Sequence, residues 1–471
     1  MSEIPIEDIQ GDILTSYRFP KDVEHFHIFH IEDVEKFRAA LHELLDEAHR
    51  GHASAKDVSN VREKLLTWDK RSGRMSHSFF NIAFSKEGID VLGLEHKDLD
   101  DKHFRNGQFA DATTVLGDPF VEKDGKILPD WEDKFVELEL AHKIHGIILV
   151  AGEANSVQQH SKEIKQTLAG AASIVYYLEG ATLGPKKPLR DQEHFGWRDG
   201  ISQPFIEGYT TGTPEDGQTK VPPGVIIMGA KGDRKPRPEW ALGGSFMVFR
   251  KLQQLVPEFH EFLYETGAKE VLVPKDREAA AKLFGSRLIG RWPSGTPLEN
   301  NPINEPPVPP EKLNSFTYKK VKEPNCPYGA HIRKTNPRNS LDPGATESSS
   351  IVRAGIPYGE VVKPDSDEEK KHKTLIDRGL AFVAYQSAIE NGFIVQQQAW
   401  ANDPDFPKGK DRDPDATLPG FDAIIGQRAG KDRERAGIHG VRLPKDFVVP
   451  RAGAYFFVPS IPAMHKFFAK V

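Results

Sequence analysis

Cysteine is almost absent from this 471-residue chain: Cys326 stands alone, so no internal disulfide can close and no zinc site built on cysteines can form. No Asn-x-Ser/Thr acceptor occurs. No stretch approaches the roughly 18 uninterrupted apolar residues of a membrane helix. The opening residues, MSEIPIEDIQGDIL, have neither the basic start nor the apolar run of a secretory signal. A charge excess is missing too: 63 Lys and Arg face 69 Asp and Glu, a net −6. That balance gives no electrostatic reason to expect nucleic acid or a membrane surface as partner. These absences favour an intracellular product, a secreted mature form being the alternative; oligomeric state is left open. What is present, 38% hydrophobic and 28% charged residues, suffices for a large core in a soluble protein of two or three domains.

Periodicity then organises the chain. His25-Phe26-His27-Ile28 alternates as a half-buried strand should, with the histidines expected on the solvent face. Phe37, Leu41, Leu44 and Ala48 recur at helical steps within Asp33 to Arg50. Phe80, Ile82 and Phe84 alternate again, Gly146 to Val150 reads as a buried strand, Val157 to Leu168 as a helix and Ile174 to Leu178 as a strand. Residues 208–240, rich in Gly, Pro, Thr and Lys, read as a connector. The second half repeats the grammar. Ser245 to Phe249 predicts a strand and Leu252 to Leu263 a helix. Leu380 to Tyr385, Phe393 to Gln396 and Ala454 to Val458 are further strand candidates. The reading is α+β, with helices on one face of antiparallel sheets. It places an N-terminal unit at 1–207, the connector at 208–240 and a C-terminal unit at 241–471.

Several chemical-looking features dissolve on inspection. Gly224 to Lys231 misses the phosphate-loop order, which needs Lys directly after the second Gly and then Ser or Thr. Gly200-Ile-Ser202-Gln-Pro204 lacks the final Gly of a nucleophile elbow. His25, His27 and His30 have no acidic neighbour to complete a metal site, and the Asp-rich loop from Asn402 to Asp422 lacks the EF-hand ligand order. Two segments remain. In Gly196-Trp197-Arg198-Asp199-Gly200 an acidic residue is boxed by glycines, which permit a tight turn that presents the carboxylate. In Ala330-His331-Ile332-Arg333-Lys334-Thr335-Asn336-Pro337-Arg338 a histidine is flanked by three cations. Taken singly, each reads as an ordinary turn or surface histidine.

Taken together, they resemble the dye-decolorizing peroxidase family, and within it the larger fungal branch. Gly196 to Gly200 matches the family's distal Gly-x-x-Asp-Gly motif, and Ala330 to Arg338 its proximal histidine motif. Arg353-Ala-Gly-Ile-Pro-Tyr358-Gly359, beginning 22 residues after the histidine, matches the segment that supplies a distal arginine. Gln10 to Leu14, Phe421 to Gln427 and Ala454 to Ile461 match the family's opening and close. Trp197 stands where many relatives carry Phe.

The resemblance implies two ferredoxin-like units, of the dimeric α+β barrel type, enclosing a haem b. It implies a peroxidase that uses hydrogen peroxide to oxidise dyes and phenolic or other aromatic donors. His331 is then the proximal iron ligand, with Cys326 as its rival, and Asp422 is the candidate carboxylate partner, ahead of Asp411, Asp413 and Asp415. Asp199 is the distal acid and base and Arg353 the charge stabiliser. Leu380 and Phe382 wall the distal pocket and Arg333 meets a haem propionate. Trp400 and Tyr358 are the candidates for relaying electrons from the surface. The alternative is a protein that binds or handles haem without turning over peroxide.

Overall fold

The computed structural model describes the chain except residues 1–2, 16–17, 47–52, 70–73, 271–275, 308, 310–311, 320–324, 408–418, 428–440 and 471. Among the described residues, eight strands of one nine-stranded sheet build the two halves: β1 Val23–Ile31, β2 Ser78–Phe84, β3 Gly146–Gly152, β4 Ala172–Ala181, β5 Ser245–Gln254, β6 Ile356–Tyr358, β7 Gly379–Gln386 and β8 Val448–Val458. In the first half the spatial order is β4-β1-β3-β2, and in the second β6-β7-β5-β8. Numbered within its own half, each is the antiparallel order 4-1-3-2 of a ferredoxin-like unit. The outer strands of the halves then pair with each other, β6 on β4 through Tyr358 and Gly180, β8 on β2 through Phe457 and Phe84. The sheet closes on itself, so it is an α+β barrel without free edges among these strands.

Closure explains the burial. Inward-facing residues of both halves, among them Phe26, Ile28, Leu149, Phe249, Tyr385 and Phe456, form one core inside the barrel. The alternate residues of the same strands are covered by helices. Phe29, Phe80, Ile82 and Val150 pack in the cluster that includes Phe37 and Leu41 of α1 (Val34–Leu45) and Val157 and Ile164 of α2 (Ala154–Thr167). Here the solvent-facing reading of the strand histidines fails. His25 and His27 are buried, 2.8 and 3.1 Å from Ser161 Oγ of α2. Alternation separates two faces of a strand but does not say which face is wet.

In the second half the outward faces of β5, β7 and β8 are roofed by α3 (Val256–Glu270) and α4 (Arg277–Ile289). Two local expectations fail there. Strand β5 runs on through Leu252 to Gln254, so the helix begins later, at Val256. Phe393 to Gln396 is helical and leads into a π-helical turn at Val395–Ala401; a short apolar run serves a buried helix as well as a strand.

Candidate active site

A cavity of about 220 Å³ lies between the outer face of the second half's sheet and the segments that cross it. Leu252, Leu380, Phe382 and Val448 come from the sheet, Ile289 from α4, Trp400 from the π-helical turn. The loop 198–204 contributes one polar rim and His331 another.

The loop owes its shape to two glycines. Gly196 (φ +95°) and Gly200 (φ +74°) adopt left-handed conformations that side chains disfavour, and Asp199 sits between them. Glu193 anchors the loop by accepting from the backbone N–H groups of Phe195 and Trp197, at 2.9 and 3.0 Å. Trp197 is buried and donates its indole N–H to the Arg291 carbonyl at 2.9 Å. Asp199 Oδ1 accepts from Arg353 Nη1 at 2.8 Å and from the Gly200 N–H at 2.6 Å. Its Oδ2 has no hydrogen-bond partner among the described residues, and the side chain, 41% accessible, lines the cavity. Burial pushes the Asp199 carboxyl pKa up. The charge and hydrogen bond of Arg353, the Gly200 N–H and the nearby His331 outweigh that and hold it below the ordinary aspartate value.

His331 begins the short helix α5 (His331–Thr335). Its approach to α4 depends on Gly290 (φ +95°), where a Cβ would stand 2.5 Å from Ile332 Cγ1. His331 Nδ1 lies 2.8 Å from Asp422 Oδ2. Asp422 is buried, and its other oxygen accepts from the Ile424 and Ile425 N–H groups. Burial pushes the Asp422 pKa up, but His331 and these donors bring it below its ordinary value. The pair therefore contains a carboxylate, which can only accept, so Nδ1 is the donor. Nε2 of His331 is left without a hydrogen-bond partner among the described residues on a ring that lines the cavity. Burial lowers the His331 pKa, and Asp422 more than restores it.

The cations around His331 are staples. Lys334 Nζ is buried and donates to the carbonyls of Asp403, Phe406 and Gly420 at 2.6–2.8 Å, tying α5 to the segment that carries Asp422. Arg338 is spent on the carbonyls of Gly217, Asn314 and Phe316. Arg333 is the clear correction. It lies away from the cavity wall, buried between the rings of Tyr318 and Tyr328 at 4.4 and 4.0 Å, and donates to the Cys326 carbonyl at 2.7 Å. A guanidinium so enclosed is a structural tie, not a group facing a cofactor.

The aromatic pair also departs from expectation, for neither residue is at the surface. Trp400 is 6% exposed, stacked on Phe406 with ring centroids 5.2 Å apart, and it lines the cavity. Tyr358 is 3% exposed, lies off the cavity wall and donates its hydroxyl to Asp377 Oδ1 at 3.0 Å. Leu380 and Phe382 line the cavity. Cys326 is not a rival ligand: it is wholly buried off the cavity wall, and burial pushes its thiol pKa up to about 12. Asp411, Asp413 and Asp415 lie outside the described residues. Glu193, with a pKa raised to about 7 chiefly by burial, was not anticipated, and nothing in the sequence around it marks it.

The donor set suits a flat, largely apolar iron macrocycle. One imidazole presents a free nitrogen and has a carboxylate behind it. The walls combine apolar side chains such as Leu252, Leu380, Phe382 and Val448 with a few polar ones, and an Asp–Arg pair occupies the rim. Arg250 Nε, Gln254 Oε1, Asn336 Oδ1 and Gln427 Oε1, all on residues of the wall, are buried with no partner among the described residues, as groups that meet a polar-edged ligand would be.

Two family models match the chain. One describes a DyP dimeric alpha+beta barrel domain, over residues 8–182, and the other the C-terminal part of Dyp-type peroxidases, over 205–409. A dye-decolorizing peroxidase of Mycena epipterygia is 34% identical, over 97% of this chain and 86% of the relative. One of Auricularia auricula-judae is 36% identical over 97% and 86%. Among solved structures, an ancestral D-type dye decolorizing peroxidase superposes with a TM-score of 0.88 at 39% identity, covering 99% of this chain and 100% of that one. A dye-decolorizing peroxidase in complex with 2,6-dimethoxyphenol gives 0.83 at 35%, over 99% and 100%.

Proposed function

The chain belongs to the dye-decolorizing peroxidase family and is a peroxidase, and we infer that its cavity takes haem b between His331 and the Asp199–Arg353 pair. The observation that carries this reading is the set of groups brought to one cavity: a carboxylate-backed histidine with a free nitrogen, and an acid–arginine pair with a free oxygen. His331 Nε2 would hold the iron, and the Nδ1–H bond to Asp422 makes that nitrogen a stronger donor. A haem held there would supply the redox chemistry, two electrons for the reduction of hydrogen peroxide that the organic donor then replaces.

The protein's own part is proton handling and charge stabilisation. Asp199 Oδ2 takes a proton from one peroxide oxygen and hands it to the other, which departs as water. Oδ1 stays tied to Arg353 and Gly200, so the carboxylate does not swing away between the two events. Arg353 faces the negative charge that develops as the oxygens separate. Because Asp199 is held below its ordinary pKa, the base form persists into acid solution. The substrates are hydrogen peroxide and dye or phenolic donors, in keeping with the named relatives and with the phenol-bound structure. Phe382 and Leu380 narrow the wall, and Trp400, which borders the cavity while Tyr358 does not, is the candidate relay for donors too large to enter.

The test is the absorption spectrum of purified protein before and after stoichiometric peroxide. A haem spectrum that changes on mixing and returns on adding a phenol supports the reading. Bound haem that does not respond favours the haem-handling alternative, and failure to take up haem overturns both.

A further inference from the structure

Arg353 stands on a two-residue strand, Val352–Arg353, that pairs with β7 on one side only. On its other side the backbone N–H and carbonyl of Arg353 have no strand to meet. Both are taken by one side chain. Gln203 Oε1 accepts from the Arg353 N–H at 3.1 Å, and Gln203 Nε2 donates to the Arg353 carbonyl at 2.9 Å. The amide thus stands in for the missing strand neighbour. Arg18 Nη1 adds a second donor to the same carbonyl at 3.1 Å.

Gln203 is itself buried and fixed, since its carbonyl accepts from Gln218 Nε2 at 2.9 Å. It belongs to the loop that carries Asp199, and Ser202 of that loop accepts from Arg353 Nη2 at 3.1 Å. One loop therefore supplies the carboxylate that meets the guanidinium and also the side chain that holds the backbone beneath it. Gln203 also borders the cavity, but its amide makes no hydrogen bond to Asp199 or His331 among the described residues; both of its amide hydrogen bonds go to the Arg353 backbone.

We propose that Gln203 is a positioning residue for the peroxide step, a two-point backbone clamp that sets Arg353 in register with Asp199. The proposal rests on the distal roles given to that pair above. Without the clamp, Arg353 keeps its charge but its alignment with Asp199 Oδ1 is no longer enforced, and small misplacements of catalytic groups are costly.

The test uses the haem-loaded full-length protein with Gln203→Met, which keeps length and volume but neither hydrogen bond, and Gln203→Glu, which keeps the acceptor and loses the donor. The second-order rate with peroxide should fall about three- to tenfold in Gln203→Met, the order of one modest hydrogen bond and no more than the loss in Arg353→Leu. The acid limb of its pH profile should move to higher pH, as Asp199 loses the full benefit of the arginine charge. Hydrogen–deuterium exchange over the peptide containing Val352 to Ala354, read without turnover, should quicken in Gln203→Met and stay near wild type in Gln203→Glu. If Gln203→Met does not fold, the Gln203→Glu rate, expected between wild type and Arg353→Leu, carries the test. In an Arg353→Leu background, Gln203→Met should slow the peroxide step little further. A rate and acid limb unchanged by Gln203→Met overturn the clamp, and so does a full additional loss in the double variant. Should Arg353→Leu alone leave the peroxide step unaltered, it is the distal assignment that fails instead.

Discussion

Replacing Arg353 by Leu isolates the electrostatic half of the distal pair. In the wild type the guanidinium reaches Asp199 Oδ1 at 2.8 Å and the Ser202 carbonyl at 3.1 Å. A hydrogen bond to a charged group contributes about 1.5–3 kcal/mol, which at about 1.4 kcal/mol per decade is a factor of roughly 10 to 150 in rate if it is expressed in the transition state. The two side chains are 29% and 41% accessible, so solvent screening places the expectation toward the lower part of that range. The leucine also removes the leading charge that opposes burial at Asp199. The sign follows directly. Asp199 is held below its ordinary pKa in the wild type, so its base form is lost only when pH falls through that depressed value. With Arg353 gone, burial acts against fewer opponents, the pKa rises, and the rate is lost at a higher pH on the way down. Stopped-flow mixing with peroxide at a series of pH values measures both effects. A rate within threefold of wild type together with an unmoved acid limb would refute the assigned role.

Other outcomes follow from the same geometry. Asp199→Asn keeps shape and removes the base, so the peroxide step should slow by about 10² to 10⁴-fold, with little change in haem content; a loss under tenfold means the proton goes elsewhere. His331→Ala should purify with little haem while Cys326→Ser keeps a normal spectrum, since the thiol is buried away from the cavity; pyridine haemochrome assay decides. Trp400→Phe preserves most of the stack on Phe406 and should lower turnover of bulky dyes while leaving peroxide reactivity and small phenols nearly unchanged. Equal rates on dyes in this variant would make Trp400 a packing residue. Lys334→Met strands the carbonyls of Phe406 and Gly420 and leaves that of Asp403 only the Phe406 N–H at 3.2 Å, and should cost about 3 kcal/mol in denaturant unfolding of the apoprotein.

Much of this protein is legible without coordinates, and the reason is locality. Alternation at period two marks β1 and β2, a 3.6 period marks α1 and α2, and the glycines around Asp199 mark a turn that only Gly conformations close. Those signals need a few residues each, as do the short motifs that carry Asp199, His331 and Arg353. What tertiary structure decided is everything that depends on partners distant in sequence. Barrel closure joins Gly180 to Tyr358 and Phe84 to Phe457, pairings that no local period encodes. The carboxylate behind His331 lies 91 residues on; the motif resemblance proposed Asp422, but only the fold brings it within 2.8 Å of Nδ1. Burial, too, is a property of what lands on a face. Thus the strand histidines lie under a helix, Arg333 between two tyrosines, Trp400 and Tyr358 in the interior, and Gln203, one polar residue in a loop, against the backbone of the arginine 150 residues away.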